Sequence, residues 1–192
     1  MFSKFLRVAF AGTFTRFAMN RERCYATEDR LKADRFTLSN DLFEAIFRHR
    51  FQTKLKRAIE YGFDIDTQSV IGVNILMNVC CHGKLNDVEY VLSLNPILDK
   101  CDIDKQNALH HAMYNNNPAI VELLLKKGFC INQKNINNST PLQMCCRLGG
   151  NVEIVKVLLA NGAEITPGCI KDAQVWKRYD ILELFTQTQE SR

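Results

Sequence analysis

Apolar and polar positions recur along this chain with a long period as well as a short one. Leu76, Leu109 and Leu142 are spaced by 33 residues and sit in three matching segments, 74–80, 107–113 and 140–146. Downstream of each lies an apolar run, at 87–92, 120–125 and 154–159. The runs close on Asn95-Pro96, Lys127-Gly128 and Asn161-Gly162, and Gly or Asn is favoured just past a helix end. Asn117-Pro118 reads as a helix start, with Asn as N-cap and Pro at the first helical position. The pattern predicts pairs of short helices, each with an apolar face that it cannot bury alone. Stacking such pairs buries one continuous core.

These segments resemble the ankyrin repeat family, whose pattern is T-P-L-H-x-A-A, a loop, a helix with I-V-x-L-L-L, then G-A-D-V-N. The repeat at 102–132 carries Leu109, His110, Ala112, Gly128, Ile131 and Asn132, and the repeat at 135–166 carries Thr140, Pro141, Leu142, Ile154, Val155, Gly162 and Ala163. The latter has one extra residue in the loop around 148–150. The repeat at 69–99 keeps Gly72, Leu76, Gly83, Val88 and Leu92 but has Asn95-Pro96 where the family has glycine and alanine. Residues 41–66 and 167–186 are similar to capping helix pairs, and 187–192 form a tail. The resemblance implies an all-α repeat solenoid, an ankyrin-repeat domain over 41–186 with short β-hairpins between helix pairs. It also implies non-catalytic protein binding through the hairpin tips and the concave helix face.

The tips carry an unusual feature. Finger positions in this family are usually polar, yet here the same position holds Val70, Ile103 and Ile136, again spaced by 33. Ile71 and Val73 add to the first finger, and Asp104, Gln106 and Asn137 flank the others. Either the apolar tips fold against neighbouring hairpins or they form an exposed ridge, and exposed apolar patches mark interaction sites. His82, Tyr114, Asn115 and Arg147 fall on the first helices, where the groove wall is expected. Tyr and Arg are favoured interface anchors. These twelve residues are the candidate partner-binding set, for a protein partner engaged by a monomer or by a subunit of a hetero-complex.

Charge changes the picture at one end only. The chain has 25 basic and 21 acidic residues, net +4, and residues 1–26 hold five basic residues against Glu22 alone. The remainder is balanced, which argues against nucleic acid as partner. Residues 1–25 place Leu6, Phe10, Phe14 and Phe17 at helical spacing among basic residues, the composition of a mitochondrial presequence. The run Arg23-Cys24-Tyr25-Ala26 resembles a site of the mitochondrial processing peptidase. Residues 26–40 read as a linker. The expected location is mitochondrial, with a cytoplasmic or membrane-surface adaptor that keeps its basic leader as the alternative. No apolar run approaches the length of a membrane-spanning helix.

The eight cysteines include two adjacent pairs and no C-x-x-C, a pattern of reduced thiols rather than a disulfide framework. Cys80, Cys145 and Cys146 occupy the family's small-residue positions, so packing explains them. By resemblance, His110 fastens the turn. A cysteine- and histidine-based redox or metal sensor is the competing function, with Cys81 and His82 as its best residues. No catalytic motif, cofactor or metal ligand set is expected. The Asn138-Ser139-Thr140 sequon is silent unless the chain is secreted.

Overall fold

The computed structural model of the chain describes residues 42, 44–46 and 50–190. The presequence reading of 1–25 and the linker reading of 26–40 lie outside the described residues. Nine helices have defined bounds: α1 (Phe51–Glu60), α2 (Ile75–His82), α3 (Leu85–Ser93), α4 (Ala108–Asn115), α5 (Pro118–Lys126), α6 (Pro141–Leu148), α7 (Val152–Ala160), α8 (Pro167–Val175) and α9 (Tyr179–Glu190). Residues 42 and 44–46 are also helical.

The sequence fixes these helices at their starts. Asn74, Asn107, Thr140 and Thr166 are N-caps whose side chains accept from the amide three residues on, and Asn117 and Asn151 accept two residues on. Each satisfies a donor that the first helical turn leaves open. At the other ends Gly149 and Asn116 take left-handed conformations. Asn95, at φ 55°, does the same after α3 where the family has glycine.

The helices stack in two layers. Inner helices α2, α4, α6 and α8 contact one another in order, as do outer helices α1, α3, α5, α7 and α9, and each inner helix packs on the outer helix that follows it. The shared core runs through Leu76, Leu109 and Leu142, all 2% exposed or less. Cys80, Cys145 and Cys146 are fully buried beside Ala112 and Met113, so these thiols pack as small apolar groups. The all-α solenoid is therefore as the sequence implies, with one refinement. The expected β-hairpins are turns, and none of the described residues is in a strand. Each finger closes on itself within five residues, leaving one main-chain bond to its neighbour and no room for a ladder.

Side chains also tie consecutive repeats together. Asp66 Oδ1 accepts from the Ile97 amide at 2.9 Å, and its equivalent Asn132 Oδ1 accepts from the Glu164 amide at 3.0 Å. Along the inter-helix loops, Asn115 Nδ2 donates to the Gly83 carbonyl at 2.9 Å, and an Arg178 guanidinium N–H donates to the Gly150 carbonyl at 2.7 Å. The first two bonds tie the connections between outer and next inner helices, which carry the fingers, and the last two tie the inter-helix loops.

Candidate functional site: fingers and concave face

Each finger is built on a short polar anchor. Asp102 Oδ1 accepts from the amides of Asp104 (2.9 Å) and Gln106 (2.8 Å), and Asn135 Oδ1 accepts from those of Asn137 and Ser139 (both 3.0 Å). In the first finger Ser69 Oγ accepts from the Val73 amide at 3.1 Å. The fourth turn residue has positive φ in all three: Gly72 (77°), Lys105 (56°) and Asn138 (56°). Pinning the residues on either side of the tip forces the tip side chain outward. The tip amides bind back along the row, Ile103 N–H to Ile71 O (3.1 Å) and Ile136 N–H to Asp104 O (2.8 Å). Gly72 is required twice over, because a Cβ there would stand 2.8 Å from Asp102 Cα.

The two readings of the apolar tips are thereby decided. Val70 is 84% exposed, Ile103 64%, Ile136 56% and Ile71 43%. The tips make a ridge roughly 20 Å long, at the usual spacing of stacked helices. Val73 differs, being half-buried against the core. Asp104 and Asn137 are exposed beside the tips, and Gln106 is half-buried at the base of its finger.

Behind the fingers the concave wall carries Cys81, His82, His111, Tyr114, Asn115 and Arg147. His111 Nε2 lies 3.0 Å from Asp102 Oδ2, with both side chains largely buried. Burial opposes the Asp102 charge, but hydrogen bonds from His111 and from the Gln106 and Asp104 amides outweigh it and hold the carboxyl below its ordinary value. Tyr114 stands 6.4 Å from the His111 ring, centroid to centroid, and is 47% exposed. Burial raises its hydroxyl pKa, with Cys81 adding, against a hydrogen bond from Gln106 and the charge of Arg147. Burial and the charge of His111 lower His82. His82, Tyr114 and Arg147 thus belong to one wall with His111, whereas Asn115 is spent on the strut to Gly83.

The thiols do not form reactive surface groups there. Burial pushes Cys81 and Cys145 up to about 12. Cys146 donates to Cys169, which brings Cys169 down to about 6, but both are fully buried. Among the described residues no three His, Cys, Asp or Glu side chains are placed to hold a metal ion, and no helix is long and apolar enough to cross a membrane.

Sequence reasoning missed several features. The anchors Ser69, Asp102 and Asn135 were legible as a polar residue every 33 positions. Leu148 (42% exposed) ends α6 in register with His82 and Asn115, again at 33. Val175, Trp176 and Tyr179, each more than half exposed, lie at the end of α8 and beyond it, and α8 opens at Pro167, only 26 residues after α6 opens at Pro141, so the period of 33 gave no signal.

A family model described as ankyrin repeats, in three copies, matches residues 42–135 and 76–168. An ankyrin repeat protein of Neurospora crassa, nuc-2, is 28% identical over 112 residues, covering 58% of this chain and 10% of its own length. The Drosophila melanogaster E3 ubiquitin-protein ligase Ufd4 is 27% identical over 139 residues, 71% of this chain and 5% of its own. The chain thus spans a tenth or less of these relatives.

Proposed function

Because this chain belongs to the ankyrin-repeat family, a non-catalytic interaction fold, we propose that it is a protein-binding adaptor or subunit gripping one partner between the fingertip ridge and the concave wall. One observation carries the reading: Val70, Ile103 and Ile136 stand in equivalent positions, all exposed. Exposed branched aliphatic side chains cost solubility and add nothing to the core, so their repetition points to a face that is covered in use. Tyr114 and Arg147 supply the polar-aromatic anchors behind it. The scaffold is ordered before binding, so little chain entropy is lost on association.

The leader supports mitochondrial import as the setting of this binding. Sequencing the N-terminus of protein recovered from cells tests it: a mature start at or near Ala26 supports import, and an intact Met1 refutes cleavage there. Binding itself is tested by co-purification of the tagged chain and of an Ile103→Asp/Ile136→Asp variant. A protein retained by the parent and lost by the variant, with thermal stability unchanged, supports the ridge. Equal retention by both excludes it.

A further inference from the structure

α8 and α9 are the last helix pair among the described residues, and each carries a stripe that turns away from the rest of the stack. On α8 the residues facing α6 are Gly168, against the Gln143 side chain, and Asp172, whose Oδ2 accepts from Gln143 Nε2 at 3.1 Å. Cys169 and Ala173 are fully buried. Helical spacing leaves Pro167, Ile170 and Gln174, at i, i+3 and i+7, on the side away from α6. On α9, Ile181 and Phe185 are buried like their equivalents Ile154 and Leu158 in α7. The neighbouring positions differ. Val155 and Leu159 are buried where a further pair follows, whereas their equivalents Leu182 and Thr186 are half-buried and exposed. Leu182 and Thr186 therefore face the side that a next repeat would cover. Tyr179, 70% exposed, completes their stripe at i, i+3 and i+7.

A repeat surface left to water carries a polar outer face. This one is polar only in part: Gln174 and Thr186 are polar, but Ile170, Tyr179 and Leu182 keep apolar atoms at its surface. Its two edges are charged with opposite sign. Lys171 flanks the α8 stripe on the side away from α9, and Glu183 flanks the α9 stripe on the side away from α8. Both are exposed, and neither belongs to the ion pairs among the described residues, His111–Asp102, Lys156–Glu153 and Arg178–Asp180. Lys171 comes four residues before the end of α8 and Glu183 four residues after the start of α9. Each therefore stands about 6 Å along its helix from the α8–α9 turn.

We infer that this face pairs with the same face of a second copy of the chain, about a two-fold axis parallel to α8 and α9. Such an axis keeps the height along the helices and exchanges the two edges, so α8 meets α9 of the second copy in antiparallel fashion. Ile170 then falls opposite Leu182 of the second copy, Gln174 opposite Tyr179 and Pro167 opposite Thr186, each pair within about 3 Å in height. Lys171 meets Glu183 of the second copy at both edges. A single sign of charge at both edges would repel in this arrangement, whereas the opposite signs make the face complementary to itself. A uniformly charged partner is repelled at one edge or the other. The two helices present a face of roughly 20 by 20 Å, below the ~800 Å² per partner of a standard interface, so the pairing depends on concentration.

The test is sedimentation equilibrium of the purified full chain over a series of concentrations. The expected result is a mass that rises with concentration from one chain toward two. Lys171→Glu places acids at both edges and Glu183→Lys places bases at both, and each is expected to weaken the pairing at least about tenfold. The double exchange Lys171→Glu/Glu183→Lys restores opposite signs and is expected to recover it. Both side chains are exposed, so melting is expected to stay unchanged in all three variants. Should a single reversal lower the melting, Lys171→Gln gives the same comparison by removing one charge. The Ile103→Asp/Ile136→Asp variant leaves this face untouched and is expected to pair as the parent does, which separates this inference from the fingertip reading. A single-chain mass at every concentration overturns the inference, as does pairing indifferent to the single reversals. Failure of the double exchange to restore pairing, or loss of pairing in the fingertip variant, overturns it too.

Discussion

His111 on α4 holds Asp102 of the second finger, Nε2 to Oδ2 at 3.0 Å, while the other oxygen of the same carboxylate caps two amides of the turn. One side chain thus couples the concave wall to the fingertip. Asp102→Ala removes three hydrogen bonds to a largely buried group and is expected to cost roughly 1 to 3 kcal/mol. Asp102→Asn, which can still accept from the turn amides, is expected to cost less. Thermal melts give the stability, and hydrogen exchange at 103–106 shows whether the loss is local to the finger.

Acid should unfold this protein through His110. The ring is fully buried, with Nδ1 2.7 Å from Asn107 Oδ1 and Nε2 3.3 Å from the Ser139 carbonyl oxygen. Burial lowers its pKa from 6.5 to about 4, the Ser139 contact opposing. The unfolded chain therefore takes up a proton near pH 6.5 that the folded chain refuses until about pH 4. Stability is full above the higher value and falls as pH drops toward the lower, by about 1.4 kcal/mol per unit. Asp102 adds a second loss lower down, because its depressed carboxyl must be protonated as pH falls below 3.8. Chemical denaturation between pH 7 and 4 measures the slope, and His110→Gln should flatten it.

The core and the tips should respond in opposite ways. Leu109 is fully buried, and Leu109→Ala is expected to cost about 2 to 5 kcal/mol through lost burial and the cavity left behind. Val70→Ala removes side-chain atoms already in water and is expected to change stability by no more than about 0.5 kcal/mol. Denaturant midpoints at constant slope separate the two.

The difference between those residues also shows what the sequence could reveal. Leu109 was readable because a core position must recur in every stacked unit, so the period marks it. Asn107, Asn117 and Thr140 were readable because helix starts require a side-chain acceptor. Exposure of Ile103 was not readable, since an apolar residue at a turn serves equally as packing or as surface. Only the Asp102 anchor, which pins the backbone on both sides of the tip, decides it. The His111–Asp102 link escaped for a related reason: it joins a helix to a finger, and no local spacing announces it. Trp176 and Tyr179 escaped because the connection from Ala160 to Pro167 is shorter than those before it and the 33-residue register is lost.

The central claim is that the partner lies across the fingertips. A photo-crosslinking amino acid placed at Val70, Ile103 or Ile136, and as a control at the exposed Glu122 on outer helix α5, tests it most directly in cells. The account predicts that all three tips capture the same polypeptide and that Glu122 does not. Capture at Glu122 with none at the tips would contradict it.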